Sequence, residues 1–199
     1  MKRLVLASSN RGKLVEFNAL LANSGYEVVA QASLGIEDAE ETGLSFVENA
    51  LIKARHAAQL SGLPALADDS GLCVDHLQGA PGLYSARYAG RHGDSAANNA
   101  KLLGELDGVA MMHRRAFFIC ALVLLRRADD PTPLIVEGRW SGQVLEATQG
   151  VQGFGYDPLF LPDGQHVSAA ELDPTLKNQL SHRGQALAAL RARLTERHH

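Results

Sequence analysis

The stretch Leu63-Pro64-Ala65-Leu66-Ala67-Asp68-Asp69-Ser70-Gly71-Leu72-Cys73-Val74 sets the organisation of the chain. Leu63 to Ala67 reads as a short buried strand running into Asp68-Asp69-Ser70-Gly71, and Leu72 to Val74 reads as extended again. Two adjacent carboxylates at the end of an apolar strand are costly to bury without a cation. Hard oxygen ligands of this kind suit Mg²⁺, which takes one or two carboxylates plus waters and a substrate phosphate. Asp-Ser-Gly is equally ordinary turn chemistry. From these residues alone both readings stay open.

Working outward, Ser45-Phe46-Val47-Glu48 has the capping-box pattern and opens a long helix to about Ser61, stopped at Gly62. Leu4 to Ala7 reads as a buried strand. Lys13 to Asn23 reads as a helix with Leu14, Phe17, Leu20 and Leu21 on one face, stopped at Ser24-Gly25. Val28 and Val29 suggest a short second strand, and Ala96 to Leu106 a further helix. Gln78 to Gly82 reads as a loop. Phe117 to Leu125 and Leu134 to Val144 read as long strands joined through Asp129-Asp130-Pro131. Gly150 to Pro158 is a glycine-rich loop, and Gly184 to Arg197 a final amphipathic helix with Leu187, Leu190 and Leu194 inward. Strands alternating with helices early, then neighbouring strands late, predict an α/β fold with a mixed sheet flanked by helices.

Composition narrows the function classes. The 199 residues carry 19 Lys+Arg against 22 Asp+Glu, a formal charge of −3, which argues against a general nucleic-acid binder. The longest apolar run, Phe117 to Leu125, is nine residues, against about 20 for a membrane-spanning helix. The apolar start before Ser8 is too short for a signal peptide. Cys73 and Cys120 stand alone, with no metal spacing, and read as buried thiols of a cytoplasmic protein.

Four stretches carry candidate chemistry. Ser8-Ser9-Asn10-Arg11-Gly12-Lys13 joins a strand to a helix, where backbone N–H groups and a lysine make an anion site; it is also an ordinary junction capped by Asn10. Asp38, Glu40 and Glu41 form an acidic cluster before the long helix, either a solvated helix start or the completion of a metal site. Gly153-Phe154-Gly155-Tyr156-Asp157-Pro158 either exposes a ring face to a flat ligand or buries Phe154 in a tight turn. Lys177 and Ser181-His182-Arg183-Gly184 place a cap and basic residues at a helix start, for a ligand or for solvent.

Taken in order, Ser8-x-Asn10-x-x-Lys13, Glu41-Thr42-Gly43, Glu48-Asn49-Ala50, Lys53-Ala54, Ala67 to Leu72, Pro81-Gly82-x-Tyr84-Ser85-Ala86-Arg87, Phe154 to Pro158 and Ser181 to Gly184 resemble the inosine triphosphate pyrophosphatase family. The resemblance runs from about residue 3 to residue 195. It implies a single domain over residues 1–199, two-lobed, with a long mixed sheet and the active site in the cleft between lobes. It also implies a Mg²⁺-dependent, usually homodimeric hydrolase that cuts dITP, ITP or XTP to the monophosphate and pyrophosphate.

Carried over by position, Ser8, Ser9, Asn10, Arg11, Gly12 and Lys13 hold the triphosphate, with Lys53 reaching it from the long helix. Asp69 is the general base and a metal ligand, Glu41 the other metal ligand, and Asp68 a support. Ser70 touches substrate. Phe154, Gly155, Tyr156 and Asp157 line base and sugar, and Lys177, His182 and Arg183 bind base and phosphate. Two departures from the usual pattern, Gln152-Gly153 and Lys177-Asn178-Gln179-Leu180, bear on selectivity rather than reaction type. The alternatives are a related pyrophosphatase for modified pyrimidines or dUTP, and a nucleotide- or RNA-binding module without activity.

Overall fold

The computed structural model describes residues 2–8, 11–21 and 25–196. Its six-stranded sheet has the order β2-β1-β3-β4-β5-β6, with β1 Lys2–Leu6, β2 Tyr26–Ala30, β3 Ala65–Val74, β4 Arg115–Leu125, β5 Leu134–Val144 and β6 Phe160–Pro162. β1 pairs in parallel with β2 and β3, whereas β5 and β6 pair antiparallel, so the sheet is mixed as expected. The helices are α1 Arg11–Leu21, α2 Phe46–Ser61, α3 Ser95–Glu105, α4 Pro174–Leu180 and α5 His182–Glu196.

The chain divides into two compact units. One comprises Met1–Asp69, Cys120–Gly138 and Ala186–His199, the other Ser70–Ile119 and Arg139–Gln185. In the first unit both faces of the sheet are covered, which is why its strands read as unbroken apolar runs. Leu4, Leu6, Leu66, Leu122 and Leu124 pack under Phe17 and Leu21 of α1 and Leu187, Leu190 and Leu194 of α5. The alternate residues Val5, Ala65, Ala67, Val123 and Leu125 meet Ala50, Ala54, Ala57 and Ala58 of α2. Period-2 alternation along the strands thus splits one run of sequence between two cores. The second unit has its own core, in which Leu72, Val74, Phe118, Trp140 and Phe160 pack with Leu102 of α3 and Leu106 beyond its end.

The local signals for α2 act as read. Ser45 accepts from the Glu48 N–H at 3.2 Å while Glu48 accepts from the Leu44 N–H and the Ser45 hydroxyl, closing the capping box. Gly62 ends the helix at φ 68°, where a side chain would be strained.

Four elements depart from expectation. Asp68-Asp69-Ser70-Gly71 is no turn: β3 runs through all four residues, because the apolar residues on both sides are buried and nearby ammonium groups neutralise the carboxylates. β6 and α4 lie where no element was expected. β6 has only three residues and forms by pairing with β5, whereas α4 is capped by Asp173, which accepts from the Thr175 and Leu176 N–H groups. α1 also starts earlier than read, at Arg11. Its expected end at Asn23 and the stop at Ser24 lie outside the described residues, as does Arg197.

In the turn after β4, buried Asp130 accepts from the Arg126 guanidinium at 2.6 and 2.8 Å and from the Arg126 and Thr132 N–H groups, both at 3.0 Å. The Arg126 side chain, helped by those N–H groups, holds this carboxyl far below the usual carboxylate range. A carboxyl depressed on folding stabilises the fold above its unfolded pKa, and that contribution disappears as pH falls through the folded value. Asp130→Asn is therefore expected to lower Tm by about 5 °C at pH 7. The gap should close as pH drops below about 4. Thermal melts of both proteins from pH 7 to pH 2 check this, and a gap constant with pH would contradict it.

Candidate active site

In the first unit, α2 and β3 place a lysine among carboxylates. Lys53 Nζ lies 2.8 Å from Glu41 Oε1 and 3.0 Å from Asp69 Oδ1. Asn49, one helical turn before Lys53, donates from Nδ2 to Asp69 Oδ2 at 3.3 Å, and its Oδ1 accepts from the Gly43 N–H at 2.8 Å. Gly43 is required there: a Cβ would fall 2.7 Å from Asn49 Oδ1. On the neighbouring strand position Asp68, 1% exposed, pairs with Lys13 of α1 at 2.7 Å.

Burial pushes the Asp69 carboxyl up and the Glu41 charge adds to it, against the opposing pull of Lys53 and the Asn49 amide. Lys53 is raised even though burial, its largest single influence, acts to lower it: Asp69, Glu41 and Asp68 together outweigh desolvation. Among the described residues the group sets the carboxylates of Glu41, Asp68 and Asp69 against the ammonium groups of Lys13 and Lys53. Among the described residues no cluster of three or more His, Cys, Asp or Glu side chains could hold a metal. The two carboxylates of Glu41 and Asp69 nevertheless fit Mg²⁺, which binds through one or two such groups and completes its shell with water and phosphate.

In the second unit, Phe154 is 66% exposed, so its ring is not part of the core. Lys177 Nζ lies 5.3 Å and Arg183 Cζ 5.7 Å from its centroid, within cation–π range. Buried Asp157 organises the loop, accepting from the Phe154 N–H at 2.7 Å and from Lys177 Nζ at 2.6 Å. Gly153 has φ 80°, and a Cβ there would fall 2.3 Å from Asp157 Oδ2, so only glycine lets the chain pass. Ser181 caps α5 by accepting from the Gly184 N–H at 3.1 Å, and His182 stacks on Phe118 with centroids 4.9 Å apart.

The residues singled out from sequence therefore fall into two groups. Lys13, Glu41, Lys53, Asp68 and Asp69 come together in the first unit. Phe154, Asp157, Lys177 and Arg183 come together in the second, which also holds Ser70, Gly155, Tyr156 and His182. Ser8 lies just after β1, and Arg11 and Gly12 open α1, whereas Ser9 and Asn10 lie outside the described residues. Asp38 accepts from the side-chain amide of Gln31. Sequence reading gave no role to Asn49; its signal was its place four residues before Lys53 on one helix face.

Fold and side chains define an α/β protein with a lysine–carboxylate group in one unit and an aromatic–cation group in the other. Residues 4–193 match the Ham1 family. The sequence is 58% identical over 194 residues, 98% of each chain, to the dITP/XTP pyrophosphatase of Xanthomonas campestris. It is 54% identical over 190 residues to that of Vibrio cholerae, covering 96% of this chain and 95% of the relative. Among solved structures, a HAM1 protein from Coxiella burnetii superposes with TM-score 0.94 at 47% identity, covering 98% of this chain and all of that one. The Staphylococcus aureus Ham1 protein superposes at 0.91 with 38% identity, again over 98% of this chain and all of the other. The protein belongs to the Ham1 family, as the resemblance of its motifs implied.

Proposed function

We propose that the protein hydrolyses deaminated purine nucleoside triphosphates, namely dITP, ITP and XTP, to the monophosphate and pyrophosphate. The observation that carries this reading is Asp69, a partly buried carboxylate oriented by Asn49 and bridged by Lys53 to Glu41. The names of the relatives supply the substrate class. Asp69 accepts a proton from water, the water oxygen attacks the α-phosphorus, and pyrophosphate leaves. Such transfers depend on placed cations and an aligned nucleophile more than on covalent participation. Lys13 and Lys53 supply positive charge to the phosphates.

Glu41 and Asp69 are the proposed Mg²⁺ ligands, and the bound ion neutralises phosphate charge. The exposed Phe154 ring stacks the base, while Lys177 and Arg183 edge it. Donors on His182 and Arg183 pair with a 6-keto oxygen and meet the 6-amino group of adenine donor to donor. A site reading a polar group this way discriminates by about 10⁴. The remaining members of Ser8 to Lys13, with Ser70, Gly155, Tyr156 and Asp157, complete the substrate contacts. The proposal extends to one catalytic domain per chain and to a homodimer in the cytoplasm.

Product analysis with dITP and Mg²⁺, run beside dATP and dGTP, tests the reading. dIMP and pyrophosphate from dITP, with little from the other two, is the expected result. dIDP and orthophosphate would mean that a different bond is cut, and no turnover would favour a binding protein.

Lys53→Met removes the main influence holding the Asp69 carboxyl down, so the acid limb of the kcat/KM profile should move to higher pH. Rates from pH 5 to pH 9 check this, and an unmoved limb would separate Lys53 from the base.

A further inference from the structure

Within loop 153–157, Asp157 holds Phe154 itself, accepting from its N–H at 2.7 Å and donating its own N–H to the Phe154 carbonyl at 3.2 Å, but neither bond reaches the Gly155 carbonyl. Gly155 sits at φ 61° with nothing near where a Cβ would be, so packing does not fix its peptide. Its carbonyl is instead tied from outside the loop: Asn99 of α3 donates from Nδ2 to Gly155 O at 3.1 Å. The next residue is tied as well, because Tyr156 donates its hydroxyl hydrogen to Ser85 O at 2.9 Å. Ser85 is a fixed point, since its hydroxyl accepts from the Leu72 N–H at 2.9 Å and donates to Gly82 O at 2.6 Å. Asn98, beside Asn99 on α3, accepts from the Ala89 N–H at 2.7 Å and donates to the Ser85 and Ala86 carbonyls. The segment Gly82–Arg87, α3 and the aromatic loop thus form one hydrogen-bonded frame.

Asn99 is the member of that frame whose presence packing does not explain. It is 9% exposed, and its Oδ1 accepts no hydrogen bond among the described residues. A buried acceptor left bare costs stability that an apolar side chain of the same size would not. The amide cannot simply turn round, because Oδ1 would then face the Gly155 carbonyl. What Asn99 supplies, and leucine cannot, is a donor to that carbonyl.

We propose that Asn99 is a positioning residue, acting through the Gly155 carbonyl to hold the Phe154 ring where the base stacks. This rests on the functional reading above. Without the Asn99 donor the turn that carries Phe154 loses its tie to α3 through Gly155 and is held by Asp157 and Tyr156 alone, so the ring is less narrowly directed. Misplacement by about 1 Å can cost about 10²-fold in rate, and stacking on an aromatic side chain holds a base whatever its edge groups.

A double-mutant cycle on the full-length protein, read as kcat and KM for dITP, tests this. Asn99→Leu is expected to lower kcat/KM about 10- to 100-fold, mostly by raising KM, and dIMP binding measured by calorimetry should weaken in step. In a Phe154→Ala background the same change should cost nothing further, since the ring through which it acts is gone. Asn99→Ala, which also lacks the donor, serves if the leucine does not fit. Equal losses in both backgrounds, wild-type kinetics of both Asn99 variants, or a Phe154→Ala protein with unchanged KM would each overturn the proposal. A wild-type protein that releases no pyrophosphate from dITP overturns the underlying reading first, and is seen before any variant is made.

Discussion

Asp69→Asn is expected to lower kcat for dITP by at least about 10³-fold while nucleotide binding changes only a few-fold. Asparagine keeps the shape of the side chain, but Lys53 and Asn49 donate to different oxygens of the carboxylate, at 3.0 and 3.3 Å, so its single oxygen accepts from one and its NH2 meets the other donor to donor. It cannot take a proton from water at neutral pH, and it removes one of two proposed metal ligands. Two effects on stability oppose each other in this variant, and a thermal melt separates loss of chemistry from loss of fold. The Asp69 carboxyl is raised by burial and by Glu41, so its ionised form is disfavoured in the folded state. A carboxyl raised on folding stabilises the protein below its unfolded pKa and loses that contribution as pH climbs through the folded value. At pH 7 removal of the charge therefore offsets the lost hydrogen bond, and Asp69→Asn should melt within a few degrees of wild type, on the order of one hydrogen bond's contribution. Activity lost with Tm nearly held is the signature of a residue needed for chemistry rather than for the fold. A variant that keeps its turnover would remove Asp69 from the mechanism.

Gly184→Ala is expected to destabilise the protein by more than about 3 kcal/mol, or to displace the α4–α5 junction. A Cβ at Gly184 would fall 1.7 Å from the Asn178 carbonyl oxygen and 2.8 Å from its carbon. Both are backbone atoms of α4, so no side chain can swing away. Relief requires the helix ends to separate by more than 1 Å, carrying Lys177 on one side and His182 and Arg183 on the other. Helix propensity alone acts in the opposite direction, favouring alanine over glycine by about 1 kcal/mol. The two effects differ in sign, so urea denaturation decides between them. A stabilised Gly184→Ala protein would mean that α4 and α5 do not approach this closely.

Where structure depends on neighbours in sequence, the sequence was sufficient. The capping box at Ser45 and Glu48, the stop at Gly62 and the limits of β5 at Leu134 and Val144 appear as read, because each follows from hydrogen bonds or burial patterns within a few residues. The motif order also carried the family, since Asp69, Lys53 and Lys13 keep their spacing whatever their geometry. Other features were set by residues far away in the chain. Asp68 to Gly71 has the composition of a turn, and only the arrival of Lys13 and Lys53 beside those carboxylates lets the strand continue through them. β6 exists only as a partner of β5, so no pattern within Phe160–Pro162 could announce it. The exposure of Phe154 could not be separated from burial by composition, and Asn99 meets Gly155 across 56 residues. Caps, periodicities and motif spacing are short-range quantities that one sequence determines. The charge balance around Asp69 and the frame behind Phe154 are long-range, and tertiary packing alone decides them.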